Sequence, residues 1–312
     1  MLVGPVSRPT VLVLGAGASM PYGFPSGEGL LKQARILPAE QLANTIRPYT
    51  RSLVPLLESA VHGTLDRSLD AMLELRTDLV EVGKAFMARV LLECEFQHRS
   101  SRQDGNGAWY RGLWDAFDLR TLESFRATPL TLITYNYDRS LEYSLMRSLR
   151  ERFQATNEEC AQALDCVGPL HLHGRLGHLP GFELSSGPDV VGYGGGQGGI
   201  SDSDCAAAAR NIRIVHEPNP MDEAFMRARD AIASAERVAF LGFGYARRNI
   251  ERLLLKDCLR KDTSLYLCTR GFSRQQVRSL IAPQFSDWSF AGLDEDNRDI
   301  AEFLSAYPQL LT

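Results

Sequence analysis

Residues 10–19 read TVLVLGAGAS, and this stretch decides the fold class. The four consecutive apolar residues VLVL predict a buried strand of a parallel sheet. Gly15 and Gly17 follow, where a strand-to-helix turn brings backbone N–H groups close to phosphates. Met20 stands where G-x-G-x-x-G needs its third glycine, and no acidic residue follows at the ribose-binding spacing. The stretch therefore predicts a nucleotide-binding α/β domain without the dehydrogenase fingerprint.

The composition is typical of a soluble globular protein, with 44% hydrophobic and 23% charged residues. The net charge is −4, and like charges do not form long runs, so we expect no nucleic-acid binding. No apolar stretch reaches the roughly 18 residues of a membrane span, and the N-terminus lacks a secretory signal pattern. We therefore expect a cytoplasmic protein. The six cysteines lack C-x₂-C spacing, which disfavours disulfides and structural zinc.

Buried-strand patterns alternate with helical patterns along the chain, which predicts an α/β fold with a doubly wound parallel sheet. The predicted strands are Val11–Leu14, Leu130–Thr134, Pro169–His173, Ile212–Val215, Val238–Gly242, Leu265–Cys268 and the weaker Asp287–Phe290. The helical patterns between them include Pro220–Ala235, Arg247–Arg260 and Ser273–Ile281.

All 312 residues are predicted to form one domain with two interruptions of the sheet pattern. The sheet core is predicted at about 8–37 and 126–312, with a helical insertion at about 38–125. The insertion lacks a convincing strand and is far too long for a single crossover helix. The second interruption, 174–204, contains six glycines within 192–199. Ordering them costs entropy, so we predict a mobile loop there.

Polar residues follow the second predicted strand. Asn136 and Asp138 lie just past its carboxyl end, where open α/β sheets place their ligand contacts. The same residues suit a purely structural role, because Asn-Tyr-Asp is a common turn composition and Asp138 can cap a helix that begins near Arg139. The spacing leaves both interpretations open.

The third predicted strand carries two histidines, in the sequence PLHLHGRLG. Because side chains alternate along a strand, we expect His171 and His173 to share one face, with His173 at the rim before Gly174. Neither has a carboxylate or cysteine close in sequence, so a metal site is not expected. We predict a core or structural role for His171. His173 is the candidate general base, since imidazole changes protonation near neutral pH.

A second pair of glycines, Gly242 and Gly244, follows the strand VAFL and marks another strand-to-helix turn. These glycines suit either a close approach to a ligand or a tight turn that needs small residues. Arg247 and Arg248 begin the next helix, where the helix dipole favours anions. Contact with a phosphate, contact with a partner and exposure to solvent are the alternatives for them, and we predict that they are solvated.

Four motifs together resemble those of sirtuin-like proteins: GAGAS at 15–19, TYNYD at 134–138, HLHG at 171–174 and GFG at 242–244. More narrowly, the chain resembles the bacterial NAD-cleaving branch associated with anti-phage defence. The resemblance spans about residues 10–270. It implies a Rossmann-like domain that binds NAD, a smaller helical module and cleavage of the nicotinamide–ribose bond.

The resemblance also implies roles for individual residues. Asn136 and His173 would be catalytic, with NAD as the substrate and no metal. The residues that would contact NAD are Gly15, Ala16, Gly17, Ser19, Asp138, Gly242, Gly244 and, on the adenosine side, Thr269.

The chain departs from deacetylating sirtuins in two places. Residues 23–28 read GFPSGE, whereas the corresponding segment of those proteins resembles GIPDFR. A zinc ribbon would follow the His-Gly motif, and there this chain has only one cysteine, Cys205. We therefore expect no zinc ribbon, and an NAD glycohydrolase that forms nicotinamide and ADP-ribose. An NAD-dependent protein deacylase and a non-catalytic NAD or ADP-ribose sensor are the alternatives. With no second sensing domain evident, we expect control by homo-oligomerisation or by a separately encoded partner such as an ATPase.

Overall fold

The computed structural model describes residues 5–37, 53–100, 108–179, 189–196, 198–214 and 223–312. The strands are β1 Thr10–Leu14, β2 Leu130–Thr134, β3 Leu170–His171, β4 Arg237–Leu241, β5 Ser264–Leu267 and β6 Phe290–Leu293. The helices before β2 are α1 Gly27–Ile36, α2 Val54–Gly63, α3 Leu69–Leu75, α4 Val80–Ser100, α5 Tyr110–Trp114 and α6 Leu122–Arg126. The later helices are α7 Ser140–Phe153, α8 Asn157–Val167, α9 Asp202–Asn211, α10 Glu223–Ser234, α11 Arg247–Arg252, α12 Leu255–Cys258, α13 Arg274–Gln276 and α14 Ile300–Ala306.

The six strands form one parallel sheet in the order β3-β2-β1-β4-β5-β6. The predicted α/β class with a parallel sheet is therefore confirmed, and the order is that of a Rossmann-like sheet. The chain moves from β1 toward one edge and returns to β4 on the other side of β1. Ligands of such sheets bind outside the carboxyl ends of the two central strands, where the order reverses. This switch point lies directly after Leu14 and Leu241.

Strand β1 is buried along its whole length, and its side chains pack into two different hydrophobic cores. Leu12 and Leu14 pack into the core shared with α1 and α4, whereas Val11 and Val13 pack into the core shared with α10. Because alternate residues of a strand face opposite sides of the sheet, helices must cover both faces. This double cover explains why the β1 sequence is continuously apolar.

The third predicted strand is shorter than its sequence pattern indicates. Only Leu170 and His171 form β3, and Leu172 and His173 lie in a turn. The alternation rule therefore stops at His171, and the expectation that the two histidines share a face is wrong.

The predicted strand Ile212–Val215 is also wrong in its described part. Ile212 makes only an isolated antiparallel bridge with Gly174, and Val215 lies outside the described residues. Ile212 and Ile214 are nevertheless buried in the core. Their hydrophobicity reflects this packing and not a place in the sheet.

Three further element boundaries differ from the sequence patterns. Strand β6 begins at Phe290, where the predicted strand ends. The predicted helix Arg247–Arg260 is divided into α11 and α12, because Leu254 adopts a left-handed backbone conformation with φ of 51°. Helix α10 begins at Glu223, and 220–222 lie outside the described residues.

Five helices, α2 to α6, occupy the described part of the chain between 53 and 126, and that part contains no strand. The longest, α4, has 21 residues and contributes Phe86, Met87 and Leu92 to the main core. The segments 38–52 and 101–107 of the predicted insertion lie outside the described residues.

Residues 189–196, the described part of the glycine-rich stretch, contact both α4 and α7. Tyr193 stacks on Tyr143 with ring centroids 4.0 Å apart, and its hydroxyl lies 2.6 Å from His98 Nδ1. The stretch ends earlier than predicted, because the Ser201 side chain caps α9 and the helix begins at Asp202. Mobility of the stretch stays a prediction, and 180–188 lie outside the described residues.

Candidate functional site

The two glycine turns pack directly against each other at the switch point. Gly15 N donates to Leu241 O over 3.1 Å, and Gly17 N donates to Gly242 O over 2.9 Å. A Cβ on Gly15 would lie 2.7 Å from Gly242 O, and one on Gly17 would lie 2.9 Å from Gly242 Cα. Both distances are too short for a side chain. The first turn therefore requires glycine for backbone packing, whatever it binds.

The second turn contains two glycines with different surroundings. Gly242 has φ of +59°, and a Cβ there would lie 2.2 Å from Ala18 N. Gly244 has no atom within 4 Å of its Cβ position. The tight-turn interpretation thus accounts for Gly242. Gly244 borders open space and is the glycine of this turn with room for a ligand beside it.

The Asn136 side chain joins the second strand to the first glycine turn. Its Nδ2 donates to Gly15 O over 3.0 Å and to Ser19 Oγ over 2.9 Å. Its own backbone N–H donates to Thr134 Oγ1 over 3.0 Å. The residue is buried, so these bonds are shielded from water. Fixing the amide in this way positions the polar end of β2 against the turn after β1.

Asp138 is a buried carboxylate beside this amide. Its Oδ1 accepts hydrogen bonds from the Ser140 backbone N–H and hydroxyl. Burial raises the pKa of the Asp138 carboxyl to about 6, although hydrogen bonds from Ser140 and Ser19 act in the opposite direction. The carboxyl therefore gains and loses its proton close to neutral pH. It also accepts from the backbone N–H of Ser140, the first residue of α7, but the N-cap position of this helix is Arg139, so Asp138 is not the capping residue.

The start of α5 covers the first glycine turn; it belongs to the helical segment, residues 53–126, that contains α2 to α6. The Tyr22 hydroxyl accepts from the backbone N–H groups of Trp109 and Tyr110, over 2.8 and 2.7 Å. Trp109 Nε1 donates to Ala18 O over 2.9 Å. The Tyr110 hydroxyl lies 2.7 Å from Ser140 Oγ, which in turn bonds to the buried carboxylate. The helical segment thus supplies polar atoms to this site as well as apolar packing.

Both ring nitrogens of His171 are used within the protein. Nδ1 donates to the Asn136 carbonyl over 2.7 Å, and Nε2 lies 2.6 Å from Glu142 Oε1. Burial alone would raise the pKa of the Glu142 carboxyl, but His171 and Arg175 outweigh it, so the pKa lies below its ordinary value. His171 therefore ties the turn after β2 to α7.

His173 has different surroundings, among aromatic rings on the other side of the sheet. Its ring meets Tyr135 edge-on with centroids 5.0 Å apart, and Phe225 lies 6.4 Å away. Nε2 lies 3.2 Å from Arg252 Nη1. Burial, together with the Arg252 cation, lowers the pKa of the imidazole to about 3. His173 is therefore neutral at physiological pH.

The structure brings most of the predicted site residues together in two groups. Gly15, Ser19, Asn136 and Asp138 share one buried polar network, and Gly17 and Gly242 pack beside it. His173 belongs to the neighbouring aromatic group. In the described part of the chain, no hydrogen bond joins its ring to the Asn136 side chain.

Thr269 lies further along the same edge of the sheet, and its hydroxyl has an internal partner. The residue is 1% exposed, and Oγ1 donates to Asp294 O, which links the ends of β5 and β6. Its predicted contact with adenosine stays a prediction.

The two arginines at the start of α11 are both exposed, but they differ in their partners. Arg247 pairs with Glu251 on its own helix over 2.7 Å, in agreement with a solvated position. Arg248 pairs with Glu74 at the end of α3 and so contacts the helical segment.

Two surface cavities lie away from the polar network. The first, of about 560 Å³, borders the β3 edge, and its lining includes Glu142, His171, Arg175, His178, Arg213 and Arg227. The second, of about 490 Å³, lies past the carboxyl ends of β5 and β6 and includes Arg274 and Asp296. Neither is lined by Asn136 or His173.

All six cysteines are free thiols. Within the ranges that the structure describes, no cluster of three or more His, Cys, Asp or Glu side chains is arranged to hold a metal ion. In those same ranges, no helix combines the length and apolar character needed to cross a membrane.

Sequence reasoning missed several residues of the site. Ser140 lies two residues after the TYNYD motif, and its nearness to that motif is a signal in the sequence. Tyr110 and Trp109 come from a helical segment without motif or periodicity that would single them out. Phe225 and Arg252 lie on α10 and α11, and only the folding of these helices onto β3 brings them to His173.

Comparison of the chain with known protein families found no family that matches, and no curated protein matches it.

Proposed function

We propose that this protein is an NAD glycohydrolase that cleaves the nicotinamide–ribose bond and releases nicotinamide and ADP-ribose. The observation that carries the proposal is the network at the switch point. There the Asn136 amide is bonded to the turn after β1, beside the buried carboxylate of Asp138. Rossmann-like sheets bind dinucleotides at this position, and the resemblance to sirtuin-like proteins assigns NAD to it.

In this proposal the pyrophosphate of NAD lies near the glycine turns, and Gly244 offers space beside the second turn. The nicotinamide ribose lies toward Asn136 and His173. Cleavage breaks the C1′–N1 bond, and its electron pair neutralises the pyridinium ring of the departing nicotinamide. The C1′ centre becomes oxocarbenium-like, and a water oxygen bonds to it.

Asn136 positions a ribose hydroxyl or the attacking water, and His173 accepts the proton released from it. His173 suits this role in being neutral, with a ring nitrogen that accepts a hydrogen bond. A pKa near 3 makes it a weak base in the ligand-free protein, so a bound substrate has to change its surroundings.

The wider role that we propose is that of an NAD-depleting effector in bacterial anti-phage defence, acting in the cytoplasm. The fold would then be a sirtuin-like Rossmann domain with an inserted helical module and no zinc ribbon. Because unrestrained NAD cleavage harms the cell, activity would be controlled by homo-oligomerisation or by a separate partner such as an ATPase. This part of the proposal rests on the sequence resemblance.

The test is nicotinamide release from NAD by the wild-type protein, Asn136→Ala and His173→Ala, without any acyl peptide. We expect release by the wild type and a loss of roughly 10²-fold or more in each variant, as for removal of a positioned catalytic group. Glu151→Gln, an exposed change on α7, is the control and keeps the wild-type rate. Equal rates in all four proteins contradict the proposal. Strict dependence on an acyl-lysine peptide would indicate a deacylase.

A non-catalytic sensor of NAD or ADP-ribose is the second candidate function. It is favoured by the fact that Asn136 and His173 both have hydrogen-bond partners within the protein, so neither presents a free reactive group. A sensor predicts that NAD raises the melting temperature without turnover. Nicotinamide release by the wild-type protein excludes it.

A further inference from the structure

Arg252 is the last residue of α11, and the structure holds its guanidinium against His173. Nη1 lies 3.2 Å from His173 Nε2. The guanidinium carbon lies 4.5 Å from the centre of the Phe225 ring, a cation–π distance. The Arg252 carbonyl accepts from Arg229 Nη2 over 2.9 Å. One contact with the turn after β3 and two with α10 therefore fix this side chain and its backbone beside the imidazole.

The contact between Arg252 and His173 defines where the imidazole proton lies. A guanidinium carries only N–H donors, and it keeps its charge at any pH that a protein tolerates. Nε2 of His173 must therefore be the acceptor. A neutral imidazole has one protonated nitrogen, so the proton lies on Nδ1. The Nε2 lone pair, which a general base would use, is occupied by Arg252.

Among the described residues, the other groups around the His173 ring do not compensate the positive charge of Arg252. The Tyr135 hydroxyl donates to Asn249 O, and the hydroxyl of Tyr137, whose ring is tilted 6.4 Å away, donates to Asp70. Arg229 on α10 is also cationic, and its guanidinium carbon lies 5.9 Å from the centre of the Phe225 ring. From α10, α11 and the β2 end, the described groups that face His173 are thus aromatic or cationic. A protonated imidazole would be repelled from this position.

We propose that Arg252 is a positioning residue for His173. It holds Nε2 as a hydrogen-bond acceptor in the ligand-free protein and leaves that nitrogen when an anionic dinucleotide binds. The diphosphate charge of such a ligand attracts the guanidinium, and Nε2 is then free to accept a proton from the hydroxyl or water. The catalytic consequence rests on the proposed function, whereas the position of the proton is a property of the ligand-free protein.

The first test is a ¹⁵N NMR titration of the histidine side chains of the ligand-free protein, with His173 assigned from its loss in His173→Gln. We expect Nδ1 to carry the proton and Nε2 to be unprotonated down to pH 5. In Arg252→Met, both the positive charge and the hydrogen-bond donor to Nε2 are lost. The two tautomers of His173 then mix, and the midpoint of its protonation rises by at least one pH unit. Arg252→Lys retains a cationic donor and stays close to the wild type.

The matched control is Arg247→Met, which removes an exposed arginine from the other end of the same helix. It leaves the His173 signals unchanged. A wild-type spectrum with the proton on Nε2 overturns the inference even if a variant fails to fold. So does an unchanged tautomer and midpoint in a folded Arg252→Met protein.

The second test adds ADP-ribose, a diphosphate that the protein does not consume under the proposed function. Saturating ADP-ribose is expected to raise the His173 midpoint of the wild type by at least one pH unit and to leave that of Arg252→Met unchanged. A wild-type midpoint that ADP-ribose does not move contradicts the displacement of Arg252.

The kinetic readout separates this inference from the proposed function. The pH profile of kcat/KM for nicotinamide release reports the free protein, in which Arg252 contacts His173. Arg252→Met is expected to shift the acidic limb of that profile to higher pH, and Arg252→Lys to restore the wild-type limb. If the wild type releases no nicotinamide at any pH, the proposed function fails, while the NMR result still decides the role of Arg252. If the wild type is active and the profile is the same in Arg252→Met, the positioning role fails.

Discussion

Asn136 Nδ2 lies 2.9 Å from Ser19 Oγ, although 117 residues separate them in the chain. The same Nδ2 also bonds to Gly15 O, so one buried amide connects the ends of the two adjacent strands β1 and β2. The Gly15 carbonyl and the Ser19 hydroxyl follow β1, and the Asn136 amide follows β2, so these polar groups lie beyond the strands themselves. Their mutual hydrogen bonds satisfy them where the sheet does not.

This bond predicts thermodynamic coupling between the two residues. Asn136→Ala and Ser19→Ala should each lower the free energy of unfolding by about 1–3 kcal/mol, because each leaves a buried partner unsatisfied. The double variant should lose about 1 kcal/mol less than the sum. Urea unfolding of the four proteins measures this coupling. Strict additivity would show that the bond is absent in solution.

Asp138 predicts a pH-dependent stability. Since its pKa of about 6 in the folded protein is above that of an unfolded chain, the protonated folded state is favoured at low pH, and this stabilisation is lost as pH rises through about 6. Relative to Asp138→Asn, whose side chain stays neutral, the wild type should lose about 2 kcal/mol between pH 4 and pH 7. Unfolding of both proteins across this range gives the difference. A constant difference contradicts the raised pKa.

The second glycine turn allows a matched comparison. Gly242→Ala places a methyl group 2.2 Å from Ala18 N at a positive φ and should cost roughly 3–5 kcal/mol of stability. Gly244→Ala meets no atom within 4 Å and should change stability by less than about 1 kcal/mol. Thermal unfolding of the two variants and the wild type measures these changes in stability.

The open side of Gly244 has a functional consequence under the proposed activity. Gly244→Ala should raise the KM for NAD several-fold while kcat stays near the wild-type value, because the methyl group intrudes only on the bound dinucleotide. An unchanged KM would place NAD elsewhere.

The ion pair between Glu95 and Arg139 is fully buried, with 2.6 Å between Oε2 and Nη2. Glu95 also accepts from Gly194 N, and Arg139 donates to Val191 O, so the pair ties residues 189–196 to α4. Glu95→Gln should therefore cost about 3–5 kcal/mol, since it leaves a buried cation unpaired. It should also accelerate hydrogen exchange at the Gly194 amide.

An exposed ion pair provides the control for that prediction. Glu151 pairs with Arg147 on α7, with both side chains more than half exposed. Glu151→Gln should change stability by no more than about 1 kcal/mol. If the two variants unfold alike, the buried pair does not form in solution.

The central strands were predictable from local sequence. Four apolar residues followed by glycine identify β1, and similar runs identify β2, β4 and β5, because a strand buried on both faces must be continuously apolar. Two strand predictions failed: β3 is shorter than its pattern indicates, and the apolar run from Ile212 does not form a strand. Burial of Ile212 and Ile214 in a core has the same sequence signature as burial in a sheet, so periodicity does not separate them.

The residues of the candidate site also divide into those that local sequence identifies and those that it does not. Asn136, Asp138 and the glycines were identified because strand ends and glycine spacings are local signals. Tyr110 and Arg252 were not, because each comes from a distant helix and carries no motif. The packing requirement of Gly15 and Gly17 was also hidden, since the opposing backbone belongs to residues more than two hundred positions away.

The sequence by itself thus determined the fold class, the strands at the centre of the sheet and the polar residues at their carboxyl ends, because these depend on runs and spacings of a few residues. Only the tertiary structure decided which of these residues meet. It placed His171 and His173 in different surroundings, paired Asn136 with the first turn and set Arg252 against His173. Contacts between elements distant in sequence depend on sheet order and helix packing, which local composition does not encode.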